Sequence, residues 1–263
     1  MKNFIKYMIS ALVILTFISC DENDIFHVNQ NYPSTYTKLE SSALEQLRTK
    51  LLETNPYLFQ TVNDFGFIGD SRTEFPVLPP TIADLTKQEA QVIIGKFITE
   101  NSAILGIKYR EEVNFVKADS SRVYDGSLSW MFTIGNQFYQ NIEVYNSGLR
   151  IRVINGKITY CIGNWFPEII VPQKFKFDKR KIKSLLLNKV VTHYNIAGQP
   201  YTMKITSESL ESAEFSNLIY AVESDDLIKI HVVWKVYVPD VYFKFYIDVI
   251  SGEIINSAPT IIS

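Results

Sequence analysis

Gln137-Phe-Tyr-Gln-Asn-Ile-Glu-Val-Tyr-Asn-Ser-Gly-Leu-Arg-Ile-Arg-Val-Ile-Asn-Gly-Lys-Ile-Thr-Tyr-Cys-Ile-Gly163 is the stretch whose reading decides the fold. Two alternating runs, 149–154 and 157–162, flank Asn155-Gly156. Asn-Gly between such runs predicts a two-residue hairpin, because a type I′ turn needs positive φ at both central residues. Alternation puts Leu149, Ile151 and Val153 on one face, with Ile158, Tyr160 and Ile162 beside them. Arg150, Arg152, Lys157 and Thr159 fall opposite, and Cys161 goes to that side too. A sheet with one apolar face needs a cover, and the chain supplies amphipathic helices before and after it.

Upstream, 42–54 reads as a helix: Ser42 and Glu45 have capping-box spacing, and Leu44, Leu47 and Leu51 form a stripe. Asn55-Pro56 stops it. Residues 65–80, with Gly66, Gly69, Pro76, Pro79 and Pro80, read as loop. A second helix starts at Thr86 with Glu89 completing its box, and Ala90, Ile93, Ile94, Phe97 and Ile98 recur at helical spacing. Ile104 and Leu105 continue the pattern, and Gly106 sits where a C-terminal cap belongs. Strands are expected at 113–117, 129–134, 140–144 and in the two hairpin arms, and residues 166–172 read as a connector. Downstream a third helix starts near Asp178 with Ile182, Leu185, Leu186, Val190 and His193 on one side. Strands follow at 201–206, 218–222, 228–238, 242–250 and 253–255, with 223–226 an exposed turn. Helix then meander, twice over, is an α+β order rather than β-α-β alternation.

The 263 residues allow one large or two small domains, and 46% hydrophobic with 13% aromatic residues permits a substantial core. A net charge of −2 without a basic block argues against nucleic acid as a partner. Lys2 and Lys6 precede an apolar run over 8–18, too short to span a bilayer but suited to a signal-peptide core. Phe17-Ile-Ser-Cys20 closes it and resembles the lipobox of bacterial lipoproteins, with Phe where Leu is usual. That resemblance implies cleavage before Cys20, diacylation of its thiol and acylation of the new amino end, a durable anchor at ~0.8 kcal/mol per buried CH₂. Losing Lys2 and Lys6 would take the net charge from −2 to −4. The acids at 21–24 either belong to a solvated linker or resemble a surface-export signal, and an Asp directly after the cysteine also resembles the inner-membrane retention signal of enterobacteria. The expected location is the cell envelope, lipid-anchored in the outer membrane, with the leaflet open. If Cys20 is modified, Cys161 has no disulfide partner, and an inert packed thiol is expected.

Three pieces together resemble protease-propeptide domains. The run 137–144 is similar to the Gln-x-Tyr-x-Gly-Val-Pro-Val signature of the fungalysin/thermolysin propeptide (FTP) domain, with Asn141 in place of Gly and Glu143 in place of Pro. The hairpin that follows matches down to its closing Gly163. Val233-Trp-Lys-Val-Tyr-Val238 with Phe245-Tyr-Ile-Asp248 and Ser251-Gly-Glu253-Ile254 resembles the end of a PepSY domain. The resemblance covers about 85–256 and implies two cystatin-like, PepSY-like units, each a curved antiparallel sheet packed on a helix. The expected organisation is a signal peptide over 1–19, anchor and linker over 20–40, an FTP-like domain over 41–172 and a PepSY-like domain over 173–263.

Such domains precede a zinc metalloprotease, assist its folding and block it. No His-Glu-x-x-His, Gly-x-Ser-x-Gly, phosphate loop or calcium loop is present, and His27, His193 and His231 lack ligand spacing. No catalytic, metal-binding or cofactor-binding residue is therefore assigned, and no cofactor is expected; Cys20 is the one modified residue. Asp248 and Glu253 read as turn residues, Asp248 bonding turn amides and Glu253 facing solvent, rather than as an acid–base pair. Trp234 reads as core rather than a ligand platform, and His193 as packed on the third helix. The charged run 174–183 reads as a solvated helix start, with contact to anionic lipid as the alternative. The function these readings imply is a membrane-anchored, non-catalytic binding lipoprotein that inhibits or chaperones a separately encoded peptidase. The alternative is a structural or assembly lipoprotein of the envelope with no peptidase partner.

Overall fold

The computed structural model describes residues 28–29, 31–72, 76, 79–80, 84–107, 113–194 and 197–260. The leader, Cys20, the acids at 21–24 and His27 lie outside them, as do parts of the expected 65–80 loop. In chain order come β1 (Val28–Asn29), β2 (Ser34–Thr37), α1 (Ser41–Thr54), β3 (Gln60–Val62), β4 (Ile68–Ser71), α2 (Lys87–Glu100) and α3 (Ser102–Leu105). Next are β5 (Phe115–Arg122), β6 (Leu128–Ile134), β7 (Phe138–Tyr139), β8 (Ile142–Val144), β9 (Gly148–Ile154) and β10 (Lys157–Asn164). The last part holds α4 (Lys179–Leu186), β11 (Val190–Tyr194), β12 (Pro200–Lys204), α5 (Ser207–Glu211), β13 (Glu214–Glu223) and β14 (Leu227–Val238). A 3-10 turn at Pro239–Val241 leads into β15 (Phe243–Asp248) and β16 (Ile254–Pro259). The class is α+β, with sheet predominating.

Asn155 and Gly156 take φ of 49° and 73°, the turn their residue types predict. One extra residue then changes the face assignment. The register runs Ile158 to Val153 but Tyr160 to Arg152, Cys161 to Ile151 and Ile162 to Arg150, so a bulge falls at Thr159. Beyond it the alternation inverts. Tyr160 and Ile162 stand with the arginines, while Cys161 turns into the core at 0% exposure. The expected face for all three is thereby corrected. The bulge has an identifiable cause: the Thr159 carbonyl accepts from the Phe59 amide at 2.9 Å, and its hydroxyl accepts from Arg152 Nε at 3.2 Å.

The four-stranded sheet runs β10-β9-β6-β5, all antiparallel. Helices α1 and α2 cover its apolar face, and Leu51, Ile94, Phe97, Phe132, Ile151 and Trp165 are among the residues of the shared core. The box at Thr86 forms as the spacing predicts, with Glu89 accepting from the Thr86 amide at 2.8 Å. Gly106 caps α3 in the left-handed region. The expected box at Ser42 does not form: α1 starts at Ser41, with Glu40 as N-cap and no side-chain cap. The chain is already pinned just before, where the Leu39 amide donates to the Asp64 carbonyl, so the helix begins one residue earlier. Within the expected 65–80 loop lies half of a short hairpin, β3–β4, whose turn is held by Asn63 Oδ1 accepting from the Phe65 and Phe67 amides.

Among the described residues the second sheet has eight strands in the order β1-β2-β14-β13-β8-β7, with β15 on β14 and β16 on β15. Two pairings were not visible as local patterns. β2 adds antiparallel to the start of β14, and β8 adds parallel to β13 through Leu218–Glu143 and Ile219–Val144. Strands from before residue 172 thus complete a sheet whose centre lies after it. Gln140 and Asn141, at φ of 50° and 64°, make the turn that aims β8 there. Over the far half of this sheet α4, α5 and the β11–β12 hairpin enclose Ile182, Leu186, Val236, Phe245 and Ile247. The third helix ends at Leu186, because Leu187 is extended and Asn188 takes φ of 65°. His193 therefore sits on β11, not on the helix.

Candidate functional site

The edge of the four-stranded sheet comes first, because it offers backbone rather than chemistry. β5 pairs with β6 along one side, and no other described strand pairs with its far side. A bulge lies between Phe115 and Lys117, and from Lys117 to Arg122 the pairing is regular. Most of its side chains are exposed, and Val116 is 57% exposed. Lys117 pairs with Asp119 at 2.7 Å, and Arg122 fixes the far end by a two-point bond to Asp84 at 3.2 and 2.5 Å. Charged edges of this kind deter self-pairing yet leave a row of donors and acceptors open to an extended segment.

The second locus is polar and buried. Asp248, 2% exposed, ends β15. Its Oδ1 accepts from the Ile250 and Ser251 amides, both at 2.7 Å, which is the turn role expected for it. Its Oδ2 receives the Tyr32 hydroxyl at 2.5 Å and stands 2.8 Å from His231 Nδ1. Burial alone would push the carboxyl up, but the bonds from His231, Tyr32 and the turn amides outweigh it and hold the pKa at about 2, against 3.8. The carboxylate is thus ionised, and His231 Nδ1 donates to it. The Tyr32 hydroxyl has one proton, and the short contact gives it to Asp248, so toward Val232 it accepts from the amide at 3.1 Å. Burial first, then the Asp248 carboxylate, drives the Tyr32 pKa far above its ordinary value.

Geometry explains why these groups meet. On β14 the neighbour along one side changes from β2, which ends opposite Ile230, to β15, which starts opposite Val233. Tyr32 fills that gap with its hydroxyl, and Asp248 clasps it from the β15 side. His231 is the diagonal neighbour of Asp248 across the Val233 pair. Glu253 is exposed and takes no part in the cluster, so the two carboxylates are not brought together. Sequence reading found Asp248 but missed Tyr32, 216 positions away, for which no local signal exists. His231 was legible in principle from strand register.

The remaining candidates resolve individually. Cys161 is fully buried, and desolvation pushes its thiol up to about 12, an unreactive state. Trp234 is partly buried, donates Nε1 to the Phe177 carbonyl at 2.8 Å, and meets Phe175 and Phe215 edge-on. His193 is 4% exposed, stacked on Tyr201 at 5.2 Å and edge-on to Phe243. Among the described residues no group of three or more His, Cys, Asp or Glu stands close enough to hold a metal ion. Two open clefts, of about 420 and 530 Å³, flank the β3–β4 hairpin. Their cations are engaged: Arg72 donates to the Pro56 and Leu58 carbonyls, and Arg48 and Lys38 both reach Asp64. Among the described residues no helix is long and apolar enough to cross a membrane.

No protein-family profile matches this sequence, and no curated protein matches it. A solved structure, the C-terminal domain of YpeB from Bacillus megaterium, is similar over 85% of this chain and 99% of its own, at 10% identity and a TM-score of 0.31. A superposition that loose decides neither family nor function.

Proposed function

We propose that this chain is a membrane-tethered, non-catalytic binding module that restrains or chaperones a peptidase encoded elsewhere. The tether is Cys20, lipidated at the outer membrane, and it holds the folded part close to the bilayer, since Tyr32 and β2 already belong to the eight-stranded sheet. The supporting observation is the edge of β5: a regularly paired strand whose far side no other described strand takes up, of the kind that captures an extended segment by strand addition. The FTP-like and PepSY-like motifs supply the class of partner. The architecture belongs to the same proposal. The four-stranded sheet under α2 and the β13–β16 meander under α4 are the elements of two cystatin-like, PepSY-like units.

In this reading Asp248 serves the fold and not a reaction. Both of its oxygens are occupied by internal donors, which leaves it no free lone pair directed at a substrate. The test is affinity capture from the native membrane with the full-length, anchored protein. A peptidase or peptidase-like protein should be enriched over a control lipoprotein; an eluate without one overturns the proposal.

A further inference from the structure

We infer that α4, the turn behind it and the β11–β12 hairpin form a docking face for an anionic lipid bilayer. This inference is independent of the peptidase reading. Its first support is charge segregation. Between Lys174 and Lys204 there are eight lysines and arginines and a single acid, Asp178, a net +7. The whole chain carries 26 cations and 28 acids, so everything outside this window carries 18 and 27, a net −9. Asp178 is used as the N-cap of α4, accepting from the Lys181 amide at 2.9 Å. Among the described residues no carboxylate forms an ion pair with the cations of the window. No carboxylate offsets this charge: Lys179 and Lys183 lie over the Phe215 ring and Lys181 donates to the Lys176 carbonyl, while Arg180, Lys189 and Lys204 are exposed.

The second support is that apolar surface is exposed in the same place. Leu185, Leu187, Val190, Tyr194 and Tyr201 are 38–68% exposed, half of the large hydrophobics left open anywhere in the described chain; Tyr201 stacks on the inward-turned His193, so the outer face rests on the other four. Their placement follows from the backbone. In β11 Val191 and His193 turn inward, so Val190, Thr192 and Tyr194 share the outer face. Across the ladder Val190 faces Lys204 and Thr192 faces Thr202, which sets a cation directly beside the exposed valine. Leu187 and Lys189 lie in the turn that joins this strand to α4, and Arg180 is exposed on the first turn of that helix. Lys189 and Lys204 beside Val190, with Tyr194 on the same strand face, suit the headgroup boundary, where ring and methyl groups enter the acyl edge and ammonium groups stay at the phosphates. A bilayer fits better than an acidic protein segment because exposed aliphatic and tyrosine side chains stand beside the cations, and a charge-only partner would leave them in water. The two clefts beside β3–β4 take in no residue of the window.

The test uses the full chain as Cys20→Ser/Tyr194→Cys, with an environment-sensitive fluorophore on position 194; Cys161 is buried and stays unlabelled. It is titrated with vesicles of phosphatidylcholine alone and of phosphatidylcholine mixed with phosphatidylglycerol. A blue shift is expected with the mixed vesicles only, at an affinity that falls as salt rises. At ~1 kcal/mol per basic residue near the surface, adding Arg180→Glu and Lys189→Glu should weaken it by at least about 30-fold. Both positions are exposed, and circular dichroism checks that the variant stays folded. Salt dependence of the unmodified face gives a readout that needs no charge variant. The same shift on both vesicle types, insensitivity to salt, or no shift with either overturns the inference. Capture of an acidic protein at this face without vesicle binding does so as well.

Discussion

The two sheets draw on the same kinds of residue but are assembled differently. In the four-stranded sheet every strand comes from one continuous stretch, Phe115 to Asn164, and tight turns at Gly126 and Gly156 join β5 to β6 and β9 to β10. In the eight-stranded sheet β14 recruits β2 from the far N-terminal side, and β13 recruits β8 from the middle of the chain. Local closure costs little chain entropy and is directed by turn chemistry, whereas a distant strand must be held by contacts that only the finished fold supplies. The buried cluster of Tyr32, His231 and Asp248 sits at the point where β14 changes neighbours from β2 to β15. The comparison teaches that a polar node marks where local instruction ends.

Cutting that node gives the largest expected effect. Asp248→Ala strands two turn amides, the Tyr32 hydroxyl and His231, and should cost about 3–5 kcal/mol in urea unfolding. Hydrogen exchange should show protection lost in β2 and at the β14–β15 junction while β9 and β10 keep theirs. Equal loss in both sheets would mean that they unfold as one unit and the contrast fails. Gly163→Ala is the converse perturbation. Gly163 takes φ of 140°, and a Cβ there would collide with the carbonyl oxygen of Gly148 on the neighbouring strand. About 2–4 kcal/mol is expected, with exchange rising first in β9 and β10.

Tyr32→Phe sharpens the comparison further, because the ring stays and only the clasp goes. A bond to an ionised carboxylate is at stake, so about 1.5–3 kcal/mol should be lost in the same denaturant assay. Acid gives the smallest change. The folded pKa of Asp248 is depressed from 3.8 to about 2, so its contribution is complete above 3.8 and disappears as pH falls toward 2. Discounted for solvent screening, that is about 1–2 kcal/mol, read as the difference in pH dependence between the native protein and Asp248→Ala. Parallel pH profiles for the two proteins would remove the carboxylate from the account of the seam.

What could be read from the residues follows the same division. The Asn155-Gly156 turn, the Thr86 box and the helix start near Asp178 are short-range devices, each where its spacing puts it. Gly106 is a cap as read, but of α3, since the helix expected to reach it ends at Glu100 with Asn101 as C-cap. The bulge at Thr159 was not legible, because its cause is the Phe59 amide, 100 positions away, and it reversed the faces of Tyr160, Cys161 and Ile162. The end of the third helix was legible in Asn188, a residue type that tolerates the left-handed region, yet the apolar period running on to His193 masked it. Asp248 was found through its turn, a local feature. Tyr32 was not, since nothing within a window of sequence connects it to a carboxylate more than two hundred residues on.

The binding-module account is tested most directly by photo-crosslinking in native membranes. A photoreactive side chain at Ser120, on the open edge of β5, is compared with one at Ser257, on the edge strand β16. The account predicts an adduct with a peptidase or peptidase-like protein from position 120 and not from 257. Adducts from neither position, or from 257 alone, would contradict it.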